Sequence, residues 1–159
     1  MLGEALPDPR GLPPAVVSSA AVRLVAAEGP MTESWLLRRY AQLTKLNPRQ
    51  VSAAVGEALA VAVEHGALIR TPHPCGTTDV RVPDQDAQLR ERGARQPEDI
   101  PLDEWCALLR ALGLSTAGCD EAGAFAAAAE AYRFGTAAAA ARPLILRAWT
   151  AVQAETERF

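Results

Sequence analysis

A chain of 159 residues is long enough for one medium domain or two small ones, and 49% hydrophobic residues can fill a real core. Alanine supplies much of that content while aromatics make up only 5%, which favours closely packed helices over a β-rich core. The formal charge of −3 at pH 7 argues against a uniformly basic polyanion binder. The charge is also uneven. Residues 1–82 carry eight basic and seven acidic side chains, whereas residues 83–159 carry eight and twelve, so any DNA-facing surface belongs in the first half. Cys75, Cys106 and Cys119 are an odd number without a CxxC pair, which points away from a disulfide framework or zinc ribbon and towards a reduced, cytoplasmic setting. The opening MLGEALPDPRGLPP has neither the basic nor the apolar region of a signal peptide, and no run approaches a membrane span.

Residues 1–14, with Pro7, Pro9, Pro13 and Pro14, read as a flexible arm. A first helix is expected over 15–28 with Val17, Ala21, Leu24 and Val25 inward, stopped by Gly29-Pro30. Thr32 caps a second helix, Met31 staples onto Leu36, and the inward face is Leu36, Leu37, Tyr40 and Leu43; Arg38, Arg39 and Gln42 face away. The third helix, NPRQVSAAVGEALAVAVEHG, carries the strongest local signals in the chain. Asn47 is its N-cap, Pro48 its first residue and Gln50 the capping-box partner, while Leu46 and Val51 form a staple and Gly66 ends it. Val51, Val55, Ala58, Leu59 and Ala62 recur at helical spacing as its core stripe.

ALIRT and DVRVP then read as two short strands joined by the turn PHPCGTT, with Val80 and Val82 alternating against Arg81. Three helices followed by a hairpin is the order of a winged helix, assigned to residues 15–83. A polar linker is expected over 84–99, with at most a helical turn or two in QDAQLRERGA. Helices resume in 100–159. One starts near Pro101 with Trp105, Leu108, Leu109 and Leu112 on one face, and a second runs from Asp120 to Arg133 with Phe125, Ala128, Ala129 and Tyr132. A third runs from Thr136 to about Glu157 with Leu144, Ile145, Ala148, Trp149 and Val152, and Pro143 predicts a kink or break near 139–142. The fold class is therefore mainly α: a winged helix followed by a three-helix unit. The matching order of elements, Val55…Ala58-Leu59…Ala62 against Ile145…Ala148-Trp149…Val152, makes the second unit a candidate degenerate repeat without a wing.

The run EGPMTESWLLRR, then AVGEALAVAVEHGALIR, then DVRVP and EDIPLDEW, resembles a winged-helix-like C-terminal domain of unknown function in bacterial superfamily 1 helicases that often carry a restriction-type endonuclease domain. The shared features are Glu28-Gly29-Pro30 before a helix bearing Arg38-Arg39, the helix end Ala58-Leu59…Ala62…Gly66, Val80-Arg81, and the helix start Ile100-Pro101-Leu102-Asp103. The resemblance spans about residues 16–155. It implies a stand-alone module acting beside a DNA-processing or defence enzyme, and it supplies no catalytic residues.

Two surfaces compete for function. In a helix-turn-helix the first turns of the third helix meet base edges while flanking cations grip phosphates. That gives Lys45, Arg49, Gln50, Arg70 and Arg81 as contacts for double-stranded DNA, supported by Arg38 and Arg39. The outward face of the same helix opposes base reading. Ala53, Gly56 and Ala60 are too short to reach bases, and Glu57 and Glu64 repel phosphates. A small, near-neutral strip suits a protein partner or a homodimer, with Trp35 either an exposed docking spot or a half-buried residue at a seam between the units.

Chemistry is poorly supported. His73, Cys75 and His65 offer at most three zinc ligands without matching spacing, so no metal and no cofactor is assigned. Glu98-Asp99, Asp103-Glu104 and Asp120-Glu121 fall at helix starts, where carboxylates cap free amides. There is no phosphate-cradling glycine loop, HExxH or GxSxG, and Cys106 has no histidine near it in sequence. The expectation is a protein that is not an enzyme.

Overall fold

A computed structural model describes residues 5–73, 76–114 and 119–156. The chain divides into two compact units, Met1–Asp86 and Ala87–Phe159. It is mainly helical, with six α-helices and one small antiparallel sheet among the described residues. Among the described residues no helix is long and apolar enough to cross a membrane.

In the first unit, α1 (Pro14–Glu28), α2 (Glu33–Thr44) and α3 (Pro48–Glu64) surround a core of Val17, Leu24, Leu36, Tyr40, Val51 and Val55. The expected stripe of α3 is buried in full: Val51, Val55, Ala58, Leu59 and Ala62. Leu37 and Leu43, expected inward on α2, are only partly buried against that core. The sheet has a member that the sequence did not reveal. β1 (Met31–Thr32) pairs with β3 (Thr78–Arg81), which pairs with β2 (Ile69–Pro72), in the order β1-β3-β2. Two residues are too few for a period-2 pattern, and Thr32 also caps α2 by accepting from the Trp35 N–H at 3.2 Å. The turn residues Pro74 and Cys75 lie outside the described residues.

The proline-rich arm is anchored where it is described. Leu6 and Pro9 are buried, and the Tyr40 hydroxyl donates to the Pro7 carbonyl at 3.0 Å. Composition misleads here because prolines that disfavour helix can still lay an extended strap over a core.

The second unit contains α4 (Leu102–Ala111), α5 (Glu121–Ala131) and α6 (Ala138–Thr156), and no strand among its described residues. Ile100, Trp105, Leu109, Ala128, Ile145 and Ala148 form its core, with Tyr132 and Phe134 edging Trp105 at 5.2 and 5.7 Å between ring centroids. Leu112 was expected on the inward face but sits just past α4 and is 40% exposed. The expected break before Pro143 does not occur: α6 runs through it. Proline deprives only the Ala139 carbonyl of an N–H, and both residues are exposed, so water can take that place.

Residues 84–99, which read as a polar linker, form no α-helix; their only regular element is a 3-10 turn at Pro97–Asp99. Gln85 closes the first unit, donating from its amide to the Val25 carbonyl at 3.0 Å and accepting from the Val82 N–H at 3.2 Å. Arg95 and Asp99 are buried in the second unit.

Candidate nucleic-acid interface

The amino end of α3 is built by local chemistry. The Asn47 carboxamide accepts the Arg49 N–H at 2.9 Å, and the Gln50 side chain accepts the Asn47 N–H at 2.9 Å. The capping box therefore ties the Gln50 carboxamide to the backbone of its own helix start. Arg49 and Gln50 are both exposed. Lys45, also exposed, occupies the left-handed region at φ 57 as α2 ends, with its N–H on the Gln42 carbonyl and the Leu46 N–H on the Ala41 carbonyl. That is a position glycine fills at least cost.

The remaining expected cations are differently placed. Arg70 is ion-paired with Glu33, and that hydrogen bond and charge raise its pKa. Arg39 does not face freely outward; its guanidinium holds Glu28 at 2.7 Å and Gln42 at 2.7 Å. Arg38 is half-buried rather than solvent-facing. The ladder sets Arg70 opposite Val80 and Arg81 opposite Ile69. Residues directly opposite share a face and successive residues alternate, so Arg70 and Arg81 point to opposite faces of the sheet. The two strand arginines cannot form one patch. Among the described residues no ion pair holds Lys45, Arg49 or Arg81.

The competing strip is exposed as expected: Ala53, Gly56 and Ala60 all face solvent on α3, beside exposed Glu57 and Glu64. A Cβ added at Gly56 would meet nothing within 4 Å. Trp35 is half-buried against the core of its own unit.

Among the described residues no group of three His, Cys, Asp or Glu side chains could hold a metal ion. His73 is 3.0 Å from the Asp79 carboxylate, His65 lies 2.8 Å from the Val61 carbonyl, and Cys75 is outside the described residues. Cys106 is buried, with its sulfur 3.8 Å from the Ala148 carbonyl oxygen.

The helix-start acids divide. Asp99 accepts the Gln96 N–H and Asp120 the Gly123 N–H, each at 2.8 Å, as caps should. Glu104 does something else. It is 1% exposed and takes Arg95 at 2.7 and 2.8 Å, Arg90 at 2.7 Å and the Tyr132 hydroxyl at 2.8 Å. Burial alone would raise its pKa. The Arg95 hydrogen bonds and the Arg90 and Arg95 charges outweigh that and hold it below the usual carboxylate range. The run RERGAR was the available signal, but a short arginine-rich stretch reads as solvated until its carboxylate partner is known.

No protein-family model, no curated protein and no solved structure matches this chain.

Proposed function

We propose that the first unit is a winged helix serving as a non-enzymatic, DNA-associated module, accessory to the kind of DNA-processing system its motifs resemble. The observation that carries this reading is the pair of exposed cations Lys45 and Arg49 beside the amino end of α3, neither in an ion pair among the described residues. A helix amino terminus and flanking cations together favour phosphate. The contact set is Lys45, Arg49, Gln50 and Arg81; Arg70 and Arg39 contribute only on release from Glu33 and Glu28. With Ala53, Gly56 and Ala60 on the outward face and Gln50 occupied by the cap, contact is with the backbone and insensitive to sequence.

Fluorescence anisotropy with a mixed-sequence duplex tests this at low and near-physiological salt. Micromolar binding that weakens steeply with salt is expected, and Arg49→Ala with Arg81→Ala should flatten the log–log slope by about two, roughly one per lost phosphate contact. An unaltered slope removes those residues from the interface, and absence of binding at low salt rejects the DNA reading.

A second reading, docking of a protein or of another copy of the chain on the α3 strip, is favoured by Gly56 alone: no neighbour within the chain requires a glycine there. Gly56→Arg should then abolish self-association in light scattering while the helical circular dichroism persists; unchanged association excludes the strip.

A further inference from the structure

The second unit contains a cleft of about 700 Å³ whose lining includes Leu89, Arg90, Arg92, Leu108, Tyr132 and Arg133. A cleft of that size matches a small organic ligand. Its charge is lopsided. Three arginines line it, Arg90, Arg92 and Arg133, against one acid, Glu91. Arg90 also reaches Glu104, which Arg95 shares.

Arg92 is held ready. Its Nε donates to the Arg95 carbonyl at 3.0 Å and its Nη1 to the Arg133 carbonyl at 3.1 Å, while its guanidinium lies 4.9 Å from the Phe134 ring centroid. These contacts fix the plane of the guanidinium, and among the described residues its Nη2 makes no hydrogen bond. Arg133, whose carbonyl takes the Arg92 Nη1 bond, is exposed and also lines the cleft. It closes α5 at φ 51, its N–H on the Glu130 carbonyl and the Phe134 N–H on the Ala129 carbonyl, a helix-ending position that glycine would also fill. Leu89, 48% exposed, and Leu108 give the cleft an apolar side.

We propose that this cleft binds a small organic oxyanion, its phosphate or carboxylate met by Arg92 and Arg133 and its apolar body resting on Leu89 and Leu108. Planar guanidiniums bind both oxyanions in bidentate fashion, so the two share one recognition chemistry. The site lies wholly in the second unit and does not depend on DNA binding by the first.

Calorimetric titration of the full chain at constant ionic strength tests the proposal, with adenosine monophosphate as the phosphate probe, 4-phenylbutyrate as the carboxylate probe and adenosine as the neutral control. Saturable binding of either anion at millimolar or lower concentration is expected, and which one binds identifies the oxyanion. Arg133→Gly should weaken it by about tenfold or more, the loss of one charge-assisted contact. That variant suits the left-handed backbone, so circular dichroism should report an intact fold. Arg10→Ala, at an exposed arginine of the first unit outside the DNA contact set, should leave the affinity unchanged. Failure of both anions to saturate, equal binding of adenosine, full affinity in Arg133→Gly, or loss in Arg10→Ala would each overturn the proposal.

Discussion

Glu104 shows how much one side chain can depend on its neighbours. A buried carboxylate without partners is very costly, but this one has two guanidiniums and a phenol within hydrogen-bonding distance. Glu104→Gln leaves Arg95, itself 4% exposed, without a counter-charge. The substitution should cost about 3–5 kcal/mol in urea unfolding, the range for breaking one side of a buried pair. The pH dependence follows from the direction of the shift. A carboxyl depressed in the folded state stabilises above its unfolded pKa, and that contribution is lost as pH falls through the folded value. The glutamine variant should therefore show a shallower acid destabilisation than the parent. Tyr132 is pushed the other way, by burial first and then by the Glu104 charge and hydrogen bond, so it remains a donor well into alkaline solution. None of this was legible in the sequence. Glu104 stands where a dipole-favouring acid is expected, and its partner Arg95 lies nine positions upstream in a stretch that composition marks as solvated.

At the level of elements, helix ends follow one plan. α2, α3, α4 and α5 each finish with a left-handed residue, at Lys45, Gly66, Gly113 and Arg133, followed by paired backbone bonds to the last turn. The two glycines were readable as stops because glycine is the usual occupant. Gly66 and Gly113 were both expected to end their helices, whereas Lys45 and Arg133 were invisible as caps because side-chain identity argues against them. Start signals were more faithful: Asn47, Thr32 and Asp120 each accept a backbone N–H of the first turn. Capping depends on neighbours in sequence, so sequence can show it. β1 depends on β3, almost fifty positions on, and could not be seen. The exposed Gly56 yields a prediction at this scale. With open space around it and ordinary helical backbone, Gly56→Ala should raise stability by about 0.8–1 kcal/mol, read as a higher denaturation midpoint at unchanged m-value. A drop in stability would mean that α3 is strained at this turn.

For the whole molecule, two cores in one chain are the main fact. The first gathers Leu24, Tyr40 and Val55 and the second Trp105, Ile145 and Ala148, each within its own unit. The inward faces of α1, α3 and α6 were recognisable from 3.6-residue periodicity, which burial imposes directly. The division near residue 86 was less so, because Arg90 and Arg95 are tied to the second unit by Glu104 of α4 rather than by any pattern of their own. The anchored strap gives a further prediction. Removal of residues 1–9 takes Leu6 from the first core and a hydrogen bond from Tyr40, and should lower stability by about 2–4 kcal/mol in chemical denaturation. Tyr40→Phe should account for about 1 kcal/mol of that.

The same strap determines how far anything attached upstream can roam. A free coil over residues 6–13 would add about 15 Å of root-mean-square reach to a tether starting at Pro14. With Leu6 buried and Pro7 bonded to Tyr40, that slack is gone. A fluorophore or fusion partner joined ahead of Leu6 would therefore report from beside α2 rather than from the start of α1, and a distance measured from it would reflect a fixed point on the first unit.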